Sequence, residues 1–219
     1  MVTTETERPQ RRRRKEARPS EIIDAATGVF AEKGYAGTNL NEVARRAGIA
    51  KGTLYLYFET KEDLFRAVAR SAFTTNLEGM EKAASDFGKP VRDLIPVLLQ
   101  AAAKRPLNSR IPAIARMVIS ESRQFPDIAS IWHDNVVARV LNMLSAVLEE
   151  GQKRGEVRQG NPQLQAMSIV GPIVTATLFR EIFAEDSELR PDLESLAKSH
   201  TDIILRGLLN SSPEQDSFV

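Results

Sequence analysis

The sequence predicts an all-α chain: an N-terminal three-helix helix-turn-helix domain followed by a C-terminal helical bundle. Three observations carry that prediction. Apolar residues recur at spacings of three and four through most of the 219 residues, the pattern of helices with one buried face. Proline, glycine and asparagine punctuate these segments, and no stretch alternates apolar with polar residues as a half-buried strand does. Residues Thr38–Leu64, TNLNEVARRAGIAKGTLYLYFETKEDL, read as two short helices around a glycine turn, followed by the capped start of a third.

Residues 1–18 form a basic arm, expected to be flexible, with Arg11, Arg12, Arg13, Arg14 and Lys15 in one run. Pro19-Ser20 opens helix one; Ile22, Ala25, Ala26, Val29 and Phe30 are its buried stripe, and Gly34 stops it. The first short helix runs from about Leu40 to Ala47. Asn39 caps it, and Glu42 stands three residues on, where a carboxylate can reach back to the cap. Gly48 supplies the left-handed turn. The second short helix spans Lys51–Phe58. Its Leu54 and Phe58 face inward, leaving Lys51, Thr53, Tyr55 and Tyr57 for a partner. Thr60, with Asp63 three residues on, caps a helix from Lys61 that continues to about Ser85. Gly88-Lys89-Pro90 breaks the pattern. Helical spacing resumes over Val91–Lys104, Ile111–Ser122, Pro126–Lys153, Pro162–Ala184 and Pro191–Leu209, and the polar tail 211–219 is expected to be disordered.

A helix-turn-helix lays its second helix in the DNA major groove. The residues left free here suit that task, because cations and hydroxyls meet phosphate while tyrosine rings pack on sugar. Charge agrees: residues 1–70 hold 14 Lys/Arg against 10 Asp/Glu, and residues 71–219 hold 16 against 19. The arm is either a solvated tail with a general pull on polyanions or an extension that follows the DNA backbone or minor groove.

The same run resembles the DNA-binding signature of the TetR family of bacterial regulators. The matching residues are Phe30, Gly34, Tyr35, Thr38, Val43-Ala44, Ala47-Gly48, Lys51-Gly52-Thr53-Leu54-Tyr55, Tyr57-Phe58, Lys61 and Leu64, within about Ser20–Val68. One position departs: members often carry Ser or Thr before the Lys, and here it is Ala50. The resemblance implies a dimeric repressor, released from a palindromic operator on double-stranded DNA by a small apolar or amphipathic effector. An activator, or a ligand-independent architectural or cell-division DNA binder, is the alternative built from the same parts. The expected divisions are the arm (1–18), the DNA-binding domain (19–66), a ligand-binding and dimerisation domain (67–210) and the tail (211–219).

Within this reading Lys51 and Lys61 neutralise phosphate, Gly52 permits close backbone approach, and Thr53 and Tyr55 meet base edges or a thymine methyl. Tyr57 contacts backbone oxygens, Thr38 grips a phosphate, and Arg11–Arg14 follow the DNA. Arg45 and Arg46 are either flanking phosphate contacts or a solvated face. In the middle of the chain Met117, Phe125, Trp132, Met143 and Phe179 are candidates for an apolar cavity, with Arg116, His133, Asn135 and Thr175 as orienting groups, although each also suits an ordinary core or surface position. The Gly171-Pro172 pair either kinks its helix or opens room for ligand. The last two helices either fill the core or pair with their copies across a two-fold axis, as the family does; Ile173, Thr177, Leu196, His200, Ile203, Ile204 and Gly207 are the expected interface.

Other classes find little material. With no cysteine there is no disulfide or thiol chemistry, and only His133 and His200 offer imidazole. Phosphate-loop, dinucleotide, zinc-protease and nucleophile-elbow motifs are absent. An enzyme, a metal site and a cofactor are therefore not expected. Neither is a signal peptide or membrane span, and the expected compartment is the cytoplasm.

Overall fold

The computed structural model describes residues 7–73, 81–82, 84, 89–105 and 109–210, with side chains from Arg18 onward. Helices follow in the order α1 (Glu7–Gly37), α2 (Leu40–Arg46), α3 (Lys51–Tyr55), α4 (Lys61–Phe73), α5 (Val91–Lys104), α6 (Ile111–Glu121), α7 (Pro126–Trp132), a π-helical turn (His133–Val137), α8 (Ala138–Lys153), α9 (Pro162–Ile182) and α10 (Leu193–Leu208). The sole β-type pairing among the described residues is the isolated bridge between Val157 and Leu209.

Several of the expected boundaries move. Helix one begins at Glu7, with Pro19 inside it; the preceding Gln, Arg, Lys, Glu and Ala are strong helix formers and carry the helix back through residues 7–18. The arm is thus helical from Glu7, while the side chains of Arg11–Arg14 and all of residues 1–6 lie outside the described residues. The second short helix ends at Tyr55 rather than Phe58, although Tyr57 and Phe58 still donate their N–H groups to Leu54 O. The span Pro126–Lys153 is interrupted by the π-helical turn, whereas α9 runs unbroken through Gly171 and Pro172. The expected extension of α4 to Ser85, and the tail 211–219, reach beyond the described residues.

The chain divides into two compact units. One comprises Met1–Thr74 with Ala113–Trp132. Its core takes Ile22 and Phe30 from α1, Leu54 from α3, Leu64 and Phe65 from α4, and Ile114 and Ile128 from α6 and α7, all at most 1% exposed. An aromatic cluster binds these elements. Phe65 lies 5.4 Å from Phe30 and 5.1 Å from Tyr35, and Tyr35 lies 5.0 Å from Phe125. Phe125 therefore packs with the head helices.

The other unit comprises Thr75–Pro112 and His133–Val219. Here α5, α8, α9 and α10 share one core, with Ile95, Leu98, Leu148, Ile169, Ile173, Leu193 and Ala197 inside it. Asn161 caps α9 by accepting from Gln163 N and Leu164 N, and Asp192 caps α10 by accepting from Glu194 N and Ser195 N. Burial pushes the Glu156 carboxyl up, but hydrogen bonds from Arg154 and from Val91 N–H outweigh it and hold the group below the usual range.

Candidate DNA-binding face

The local chemistry of α2 and α3 explains how the turn between them is fixed. Asn39 Oδ1 accepts from Asn41 N at 2.8 Å and caps α2. Gly48 has φ +65°, where a Cβ would be strained. Gly34, inside α1, has φ +69° and kinks the helix three residues before its end. Thr60 Oγ1 accepts from Asp63 N at 3.0 Å and donates to Asp63 Oδ2 at 2.7 Å, capping α4. Ala50 begins α3 with no side-chain cap, as its chemistry requires.

Glu42 does not fold back on its cap. It bonds Lys33 on α1 and lies 3.3 Å from Arg46; the Lys33 hydrogen bond is the main cause that holds its carboxyl below the ordinary value. Arg46 also grips Glu32 through two bonds, 2.6 and 2.8 Å long, so its cation is engaged within the protein. Arg45, with its side chain 77% exposed, faces outward. These pairs lock α2 onto α1, so the α2–α3 turn is carried on a fixed base.

On that base Leu54 is fully buried while Lys51, Gly52, Tyr55 and Leu56 are exposed and Thr53 and Tyr57 are half-buried. The Lys51 ammonium lies 5.7 Å from the Tyr55 ring centre, and a Cβ added at Gly52 would meet nothing within 4 Å. Lys61 is placed differently: its Nζ donates to Ala36 O at 3.2 Å and sits 4.6 Å from the Tyr35 ring centre. Thr38 departs most from expectation. It is 5% exposed, and its hydroxyl donates to Gly34 O at 2.7 Å, so its one proton braces the exit from α1 rather than reaching toward phosphate. Leu56, 83% exposed, is the feature sequence reasoning passed over; its place two residues after the inward Leu54 was the available signal.

The expected effector residues do not fall in one unit. Met117 is buried, Trp132 packs 6.3 Å from Phe73, and the Arg116 Nε is buried with no hydrogen-bond partner among the described residues; these belong to the first unit. In the second, exposed His133 bonds Asp134 through Nδ1 at 2.8 Å, Asn135 is half-buried, and Met143 packs against the core. Thr175 and Phe179 are exposed on α9 among the described residues. A separate groove of about 280 Å³ lies between α8 and the start of α9, lined by Asn142, Ser145, Glu149 and Gln163 among others; none of the expected residues borders it.

The expected interface residues also divide. Ile173 is buried in the core, with Leu196 and Ile204 packed against it. Thr177 donates to Ile173 O at 2.7 Å, and the His200 Nε2 lies 3.0 Å from Ile169 O, joining α10 to α9 inside the protomer. Ile203 and Gly207 face outward. The correction for Ile173 has a simple cause: α9 is apolar over most of its circumference, so spacing alone does not say which side faces in. Its outer side carries Leu164, Met167, Val174, Phe179 and Ile182, each between 43% and 63% exposed.

The comparisons with known proteins follow the same outline. Residues 22–68 match the model for bacterial regulatory proteins of the tetR family, and residues 97–207 match the C-terminal domain of AefR-like transcriptional repressors. The chain is 25% identical over 198 residues to the fatty acid metabolism regulator protein of Bacillus subtilis (strain 168), covering 90% of this chain and 99% of that one. A TetR-family transcriptional regulator of Mesorhizobium loti superposes with a TM-score of 0.74 at 24% identity, covering 90% and 99% of the two chains. The FadR regulator of Bacillus subtilis in complex with stearoyl-CoA superposes with a TM-score of 0.68 at 25% identity, covering 86% and 98%. Helix-turn-helix head, all-helical C-terminal part and both family matches agree: this chain belongs to the TetR family of bacterial transcriptional regulators.

Proposed function

We propose that the protein is a homodimeric repressor that holds a palindromic operator through α3 and releases it when a small amphipathic effector binds. One observation carries the DNA half of this reading. Lys51, Gly52 and Tyr55 are exposed around the buried Leu54, on a turn whose base is locked by the Lys33–Glu42 and Arg46–Glu32 pairs. Lys51 neutralises phosphate, Gly52 admits the backbone closely, Thr53 and Tyr55 meet base edges, and Tyr57 reaches backbone oxygens. Lys61 and the Arg11–Arg14 run add positive potential, and Thr38 positions the turn.

The outward apolar residues of α9 together with Ile203 on α10 support a dimer. So many large apolar side chains on adjoining helices are rarely left to water. Two heads on a two-fold axis then address half-sites about 34–36 Å apart, or a multiple of it. For the effector, the relatives named for fatty acid metabolism and stearoyl-CoA point to a long acyl chain with an anionic head, and the buried Arg116 Nε gives this chain a cation for such a head. The site of action is the cytoplasm, where the DNA is; no described helix is long and apolar enough to cross a membrane.

The test is selection of bound duplexes from random DNA, followed by titration of the selected duplex with stearoyl-CoA. The expected result is one palindrome with half-sites a whole number of helical turns apart, and release as stearoyl-CoA is added. Enrichment without a motif would overturn the sequence-specific reading. Binding that stearoyl-CoA leaves unchanged would overturn the effector class alone.

A further inference from the structure

Leu56 is 83% exposed on the element that meets DNA, and that position is chemically out of character. Its neighbours there are a cation, hydroxyls and a glycine, groups that suit phosphate and sugar. Leu56 is the C-cap of α3, with φ −69° and ψ −21°, and its N–H still reaches Thr53 O and Leu54 O, so it continues the helical progression. At about 100° per residue, with Leu54 pointing straight into the core, the two residues nearest the opposite direction are Gly52 and Leu56. Gly52 has no side chain and open space above it. Leu56 is therefore the one large side chain at the centre of the outward face.

We infer that Leu56 is a specificity-determining residue that reads the C5-methyl of a thymine on the floor of the major groove. The argument is one of elimination among groove groups. A leucine offers no hydrogen bond and gains nothing from a phosphate. In the major groove the thymine methyl is the apolar group that base edges present, and apolar side chains recognise it by contact. Gly52, four residues earlier on the same face, lets the backbone approach closely enough for a side chain of leucine length to reach that methyl. The inference rests on α3 being the base-facing helix, as proposed above.

The experiment uses the full chain and the duplex recovered by selection, with each thymine of a half-site replaced in turn by deoxyuridine, which lacks only the methyl. Wild-type protein should lose affinity about fourfold at one position per half-site, the effect of one methyl-sized group at about 0.8 kcal/mol. Changing both half-sites should cost about fifteenfold. Leu56→Ala should bind the thymine duplex with the weaker affinity and be indifferent to the replacement at that position. Because the side chain is exposed, the variant is expected to melt like wild type, and Leu56→Met should retain the discrimination. Indifference of wild type at every thymine, or equal sensitivity in Leu56→Ala, would overturn the inference while leaving α3 as the reading helix. Selection that yields no motif would overturn both.

Discussion

Arg66 donates from Nε to Asp127 Oδ2 at 2.6 Å, tying α4 to α7, and its guanidinium carbon lies 5.8 Å from the Phe125 ring centre. The contact joins residues 61 positions apart in sequence. It brings a residue from the region matched by the C-terminal family model, residues 97–207, against a helix that begins within the head's own match, residues 22–68.

The Asp127 carboxyl is held below its ordinary value of 3.8, chiefly by the Arg66 hydrogen bond. A carboxyl with a depressed folded-state value stabilises the fold above its unfolded value, and the contribution is lost as pH falls through the folded value. Asp127→Asn should therefore melt at a lower temperature than wild type at neutral pH. The two curves should converge below pH 3.8, as the wild-type carboxyl takes up its proton. Thermal melts across acid pH check this, and a gap that persists in strong acid would contradict it.

Tyr35 donates to Glu62 Oε1 at 2.8 Å and is stacked 6.2 Å from Phe30. Tyr35→Phe keeps the ring and removes the bond, at a cost of about 1 kcal/mol. Burial first, and then the Glu62 bond, push the phenol well above its ordinary value of 10.0. Stability from a raised group is full below its unfolded value and disappears as pH rises toward the folded one. The difference between wild type and Tyr35→Phe in denaturant titrations should accordingly shrink above pH 10.0.

Ala50 leaves α3 without a capping side chain. Ala50→Ser should stabilise the protein by about 0.5–2 kcal/mol, because a hydroxyl can accept from a free N–H in the first turn. Its second effect should be tighter operator binding, through an added donor at the start of the reading helix. Chemical denaturation and filter binding measure the two independently.

Adjacent isoleucines on α10 should behave in opposite ways. Ile203 is 65% exposed, whereas Ile204 packs against the core. Ile203→Glu should yield folded monomers with weakened operator binding, and Ile204→Glu should lower protomer stability by about 1–3 kcal/mol. Sedimentation velocity with circular dichroism separates the outcomes; a dimer in Ile203→Glu would remove α10 from the proposed interface.

Short-range signals made much of this fold legible. Asn39 and Thr60 each cap the helix they precede, because a cap acts within three residues of itself. Gly34 and Gly48 hold the positive φ values that their turns need. The all-helical architecture and the family followed from the same local patterns. What stayed hidden depends on contacts between distant segments. Arg46 meets Glu32, Tyr35 meets Phe125, and a Cβ at Gly151 would lie 2.6 Å from Val91 Cγ2 and 2.7 Å from Val157 Cγ2. No periodicity encodes such pairings. The orientation of α9 was hidden for the opposite reason, since too many of its residues are apolar to single out one face.

The Val157–Leu209 bridge has a mechanical consequence. Around it Arg158 N donates to Leu208 O at 2.9 Å, Asn210 N donates to Glu156 O at 2.9 Å, and Asn210 Nδ2 donates to Gly155 O at 2.7 Å. Helix ends ordinarily fray, because their last carbonyls lack partners. Helix α10 is instead clamped at its finish by this clasp and at its start by Asp192. Held at both ends, it behaves as a fixed beam rather than a cantilever. Ile203 is thereby presented at a constant height and rotation, which is the condition for one copy of the helix to find the same register on another.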